Sequence, residues 1–149
     1  MINKEIKADW AMIYTGIVKD WLSPEEALSA IESSLLNELT SSQVTEIYIS
    51  QHQGKDMFVK RLENLKSFKQ HELLDAISKW GLYFLQNIYR SEKGIQIKLY
   101  EIADIWAMLD YPQQWKDFIY YMPVEEGSQT GNDVLYRKFQ LFLEKNNSL

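Results

Sequence analysis

Apolar residues along this chain recur at spacings of three and four, and strict alternation over six or more residues is hard to find, so the pattern predicts helices. A first stripe joins Ile6, Trp10, Ile13, Ile17 and Val18, with Lys4, Lys7 and Lys19 mostly elsewhere. The second helix has the clearest start: Ser23 as N-cap, Pro24 at the first helical position and Glu26 three residues after the cap. Its inward stripe is Leu28, Ile31, Leu35 and Leu39. A shorter helix is expected from about Ser42 to Gln51, carrying Val44, Ile47 and Tyr48, and Gly54 can end it in a left-handed conformation. Asp56 then reads as a cap for a segment with Val59, Leu62 and Leu65 on one side and Lys60, Arg61, Glu63 and Lys66 in solvent.

The longest regular pattern runs from about Gln70 to Ser91, where Leu73, Leu74, Ile77, Trp80, Phe84, Leu85 and Ile88 keep a helical period; this is the candidate central helix. Gly81 would cost up to about 1 kcal/mol in an exposed helix interior, so a close approach by a neighbour is the natural reason for it. After Gly94, Leu99, Ile102, Ala103, Trp106 and Leu109 mark the next inward face. Asp110-Tyr111-Pro112 breaks the chain, because the residue before proline is biased away from the helical region. A short helix with Trp115, Phe118, Ile119 and Met122 follows and stops at Pro123. Val124–Asn132 is the best loop, and a last helix capped by Asn132 or Asp133 carries Leu135, Phe139, Phe142 and Leu143 before the 145–149 tail frays. The predicted fold is all-α, a single compact bundle of about seven or eight helices over residues 1–149, with Gly94 as the place where two subdomains would hinge.

Composition narrows the chemistry. A 149-residue chain with 46% hydrophobic and 25% charged residues suits one globular core and excludes a disordered tail or a fibre. The absence of cysteine removes disulfides, thiolate metal sites and cysteine nucleophiles. No stretch has the run of apolar residues that a signal peptide or membrane span uses, so a soluble, cytoplasmic protein is expected. His52 and His71 lack partners at metal-ligand spacing, and neither a nucleophile-elbow serine motif nor a phosphate-cradling glycine loop occurs. Adjacent Glu25 and Glu26 suit the positive end of a helix dipole. No EF-hand loop is present, so neither calcium nor any other cofactor is implied.

The net charge of −5 argues against general nucleic-acid binding, and the basic stretch 55–99 is interspersed with acids like a solvated helix face. A nucleic-acid surface there, through Lys60, Arg61, Lys66 and Lys69, is the weaker reading. The charge distribution is more informative, because residues 100–133 hold seven carboxylates against one cation, Lys116. That segment also carries Tyr100, Trp106, Tyr111, Trp115, Phe118, Tyr120 and Tyr121. Trp106, Trp115 and Phe118 are read as core, whereas tyrosines can anchor an interface while keeping the hydroxyl hydrogen-bonded. An acidic, tyrosine-bearing face would attract a basic protein; with no partner, it would be an ordinary solvated face.

The runs Ile102-Ala103-Asp104-Ile105-Trp106-Ala107-Met108-Leu109-Asp110-Tyr111-Pro112 and Phe118-Ile119-Tyr120-Tyr121-Met122-Pro123 resemble the C-terminal signature of an uncharacterised family of small bacterial proteins. Trp21-Leu22-Ser23 and Lys79-Trp80 are similar to it as well. Such small acidic proteins resemble immunity proteins of bacterial toxin systems, which implies association with a toxin domain and no catalytic residues. The expectation is therefore a non-catalytic inhibitor that occludes a basic toxin domain, such as a nuclease, with neither nucleic acid nor a membrane as partner. Asp104, Asp110, Asp117, Glu125 and Glu126 would pair with cations, and Tyr111, Tyr120 and Tyr121 would supply apolar contact. The alternative is a small-molecule-binding protein or enzyme with a pocket between helices.

Overall fold

The structure, a computed structural model, describes residues 8–120 and 131–146. Among these the expected all-α architecture holds: α1 (Trp10–Val18), α2 (Pro24–Ser34), α3 (Ser41–Gln51), α4 (Lys55–Leu65), α5 (Gln70–Arg90), α6 (Ile95–Met108) and α7 (Asn132–Asn146), with short 3-10 helices at Leu36–Glu38 and Gln113–Phe118. Internal contacts divide the chain into two compact units, Met1–Trp80 and Gly81–Leu149, so the boundary lies inside α5.

In the first unit, α1 starts at the Asp9 cap, whose carboxylate accepts from the Met12 amide at 2.8 Å and pairs with Lys79 at 2.6 Å. Trp10, Met12, Ile13 and Ile17 are buried, and the Trp80 indole donates to the Met12 carbonyl oxygen at 2.8 Å. Gly16 makes room for that indole: a Cβ there would stand 2.8 Å from Trp80 Cζ2 and 2.7 Å from Leu22 Cδ1. Val18, expected in the stripe, is exposed instead, because α1 ends at it and the chain turns through Asp20 at φ +61°. Ile6 lies outside the described residues.

The Ser23–Glu26 capping box forms reciprocally as expected. α2 ends at Ser34, so Leu35 is buried as its C-cap while Leu39 is only half-buried beyond the 3-10 turn. A second reciprocal box, Thr40 with Gln43, starts α3. It buries Ile47 and Ser50 but leaves Tyr48 exposed, against expectation. Gly54 takes the left-handed φ of +96° and caps α4, which puts Asp56 in the first turn rather than at the cap. The inward row of α4 is consequently Phe58 and Leu62, with Val59 and Leu65 half-buried. Arg61, expected in solvent, is partly buried, lies 3.5 Å from Glu46 and keeps an unpaired buried Nε.

Helix α5 matches its expected span and supplies Ala76 and Trp80 to the first unit and Tyr83, Leu85 and Ile88 to the second. Leu74 is exposed because it projects about 100° around the helix from half-buried Leu73. The close approach expected at Gly81 is present: a Cβ there would meet Leu109 Cδ1 and Trp115 Cζ2, each at 3.0 Å. The whole expected face of α6 is buried, together with Lys98, whose ammonium donates to the Tyr89 carbonyl oxygen at 2.8 Å and the Tyr136 hydroxyl at 3.2 Å. The short helix after Pro112 is a 3-10 helix that buries Trp115 and Phe118; Met122, Pro123 and residues 124–130 lie outside the described residues. α7 begins at Asn132, so Asn132 and Asp133 belong to its first turn rather than preceding it as caps. Leu135, Phe139 and Leu143 are buried in α7, and Phe142 is half-buried.

Candidate functional site

The C-terminal end of α6 is built around Trp106. The Asp110 amide donates to Ala107 O at 3.1 Å and the Tyr111 amide to Trp106 O at 2.9 Å, the paired bonds of a Schellman motif. Glycine usually occupies the left-handed position of that motif, yet here Asp110 and Tyr111 both have positive φ, +64° and +60°. Each left-handed non-glycine residue costs about 1–2 kcal/mol, so the surroundings must hold them there. Trp106 does this from inside: its indole donates to Pro112 O at 2.8 Å, and its ring meets Tyr111 edge-on at 4.9 Å. The outcome is a fixed corner that shows Asp110 and Tyr111 to solvent.

The outer side of α6 leads up to this corner. Ile97, Tyr100, Asp104 and Met108 follow at helical spacing, and all four are exposed. Tyr100 accepts a hydrogen bond from Gln96 Nε2 at 2.7 Å, and the Tyr120 ring packs against it at 4.8 Å in an edge-to-face pair. Glu101, beside this row, is engaged by Lys93 at 2.7 Å. The fold thus brings Tyr120 to the Tyr100–Asp104 turn and puts Asp110 and Tyr111 at the end of the same helix. Asp117 instead lines a depression shared with Lys138 and Lys145, and Asp133 is exposed in the first turn of α7. Tyr121, Glu125 and Glu126 lie outside the described residues.

Tyr100, Ile97 and Met108 were absent from the residues expected to make contact. Their signal was the same three-and-four spacing read on the reverse side of α6, opposite Leu99, Ile102 and Trp106. Among the described residues no cluster of histidine and carboxylate side chains could hold a metal ion, and no helix is long and apolar enough to cross a membrane.

A family described as an uncharacterised protein conserved in bacteria matches residues 1–147 of the chain. The chain belongs to this DUF2247 family. Neither a curated protein nor a solved structure matches the chain. Within this DUF2247 chain the Asp-Tyr-Pro run is a structural corner and an exposed feature at once.

Proposed function

We propose that this DUF2247 protein is a non-catalytic binding module, an immunity-type inhibitor that occludes a basic toxin domain, such as a nuclease, through the outer side of α6. The observation that carries this reading is the solvent-facing Tyr100–Tyr120 pair with Asp104 one turn further on and Asp110 and Tyr111 at the helix end. Exposed tyrosines beside apolar Ile97 and Met108 supply contact area at small entropic cost, and the carboxylates would draw lysines and arginines of a partner into register. Lys93 is already engaged by Glu101, so Asp104 and Asp110 are the carboxylates of this face with no ion pair among the described residues.

The test is co-expression with the product of the adjacent gene in the source bacterium, followed by association kinetics. Copurification, with Asp104→Lys slowing association and flattening its salt dependence, is the expected result. A captured partner whose kinetics ignore both Asp104→Lys and Tyr120→Ala would remove this face from the mechanism.

A further inference from the structure

A second feature of the Gly81–Leu149 unit faces the opposite kind of charge. Between α7 and the Gln113–Phe118 helix lies an open depression of about 540 Å³, a volume in the range that small ligands occupy. Lys138 and Lys145 stand on its α7 wall, seven residues and therefore two turns apart, so they share one side of the helix. Leu141 and Phe142 fall between them; Leu141 is exposed and Phe142 half-buried against Phe118 at 5.1 Å. Across from them are Gln114 and Asp117. Among the described residues neither lysine nor Asp117 makes an ion pair, so two ammonium groups and one carboxylate line an apolar strip with one positive charge in excess.

We propose that this depression binds a small amphipathic anion: an apolar body laid along Leu141 and Phe142, with one acidic head held by Lys138 or Lys145. Charge complementarity selects the head, because a cation would add to the one positive charge in excess and a neutral molecule would leave that charge uncompensated. The apolar strip selects the body, since its contact with Leu141 and Phe142 removes exposed hydrocarbon from water. The residues lining this site are none of those on the α6 face proposed to meet a protein partner, and either reading can fail without the other.

Octanoate is a suitable probe, followed on the full chain by amide resonances, with octanamide and octyltrimethylammonium as neutral and cationic controls of similar length. Octanoate should shift amides in 114–118 and 138–146, and Lys138→Gln with Lys145→Gln should weaken its binding by roughly fivefold or more at unchanged thermal stability. Equal binding of the neutral or cationic control, shifts centred elsewhere, or no shift at several times millimolar probe would each overturn the proposal. So would a hydrophobic acidic peptide that moves these amides where octanoate does not, since that outcome makes the depression a docking site for a protein segment.

Discussion

The buried ammonium of Lys98 lies 3.2 Å from the Tyr136 hydroxyl and 5.5 Å from the centre of the same ring. A second ring, Tyr89, stacks on Tyr136 at 6.4 Å, and the Tyr89 backbone carbonyl takes another ammonium proton. The cation is therefore held by an oxygen pair and two π-faces, and among the described residues no carboxylate pairs with it. Tyr136→Phe should cost about 1.5 kcal/mol or more, because a buried charge loses one of its acceptors. Adding Lys98→Met should recover most of that loss, since an apolar side chain no longer needs the hydroxyl. Urea unfolding of both single variants and the double variant reads the coupling directly; strictly additive losses would contradict it.

Two glycines are held by close packing rather than by backbone shape. Gly16→Ala would push a methyl to within 2.9 Å of three side-chain atoms of Leu22 and Trp80, and Gly81→Ala to 3.0 Å from Leu109 and Trp115. The overpacking penalty of about 1–3 kcal/mol should exceed the gain in helix propensity of about 1 kcal/mol at Gly16 and roughly offset or slightly exceed it at Gly81. Thermal denaturation should therefore rank Gly16→Ala well below Gly81→Ala, and the reverse order would show that the Trp80 indole gives way easily.

Asp20 and Asp110 both occupy the left-handed position of a Schellman motif, at φ +61° and +64°. Asp110→Gly should stabilise the protein by roughly 0.5–1 kcal/mol by relieving that conformation. Asp20→Gly should gain less, because it also removes a 2.8 Å ion pair with Lys55. If the proposed docking face is correct, Asp110→Gly will combine a higher melting temperature with weaker partner binding, a divergence that a merely structural aspartate would not produce.

Acid should weaken the start of α2. The backbone hydrogen bond at Ser23 lowers the Glu26 pKa from its ordinary 4.5, so the folded state favours the charged form. The associated stability is present above about pH 4.5 and is lost as the pH falls through the lower folded value. Glu26→Gln should flatten that part of the acid-unfolding curve, while Ser23→Ala should lower stability by about 1 kcal/mol at neutral pH. Both are measured by denaturant midpoints at stepped pH.

What the sequence revealed most reliably was whatever depended on period and on local capping chemistry. The inward face of α6 and the Ser23 capping box needed only spacing and residue type. Phe58 was passed over and Leu74 was placed inward because a one- or two-residue change in where a helix starts, or a 100° step around it, decides which side meets a neighbour. Lys98 was missed since charge alone argues for solvent, and its burial depends on Tyr136 from a helix 38 residues away. The candidate face was partly legible. Composition gathered the acids, but the fold assigned Tyr100 and Asp104 to one exposed row and sent Asp117 to the company of two lysines.

The bond from Trp80 to the Met12 carbonyl spans 68 residues, which has a consequence for how the protein is made. At a synthesis rate of about 5–20 residues per second, Met12 leaves the ribosome's catalytic centre roughly 3–14 s before the indole that closes over it. Through that interval α1 lacks its largest lid, and the groove beside Gly16 is open to chaperones or to wrong partners. Nascent chains arrested before Trp80 has left the ribosome and well after it has emerged should therefore differ sharply in protease resistance near Met12.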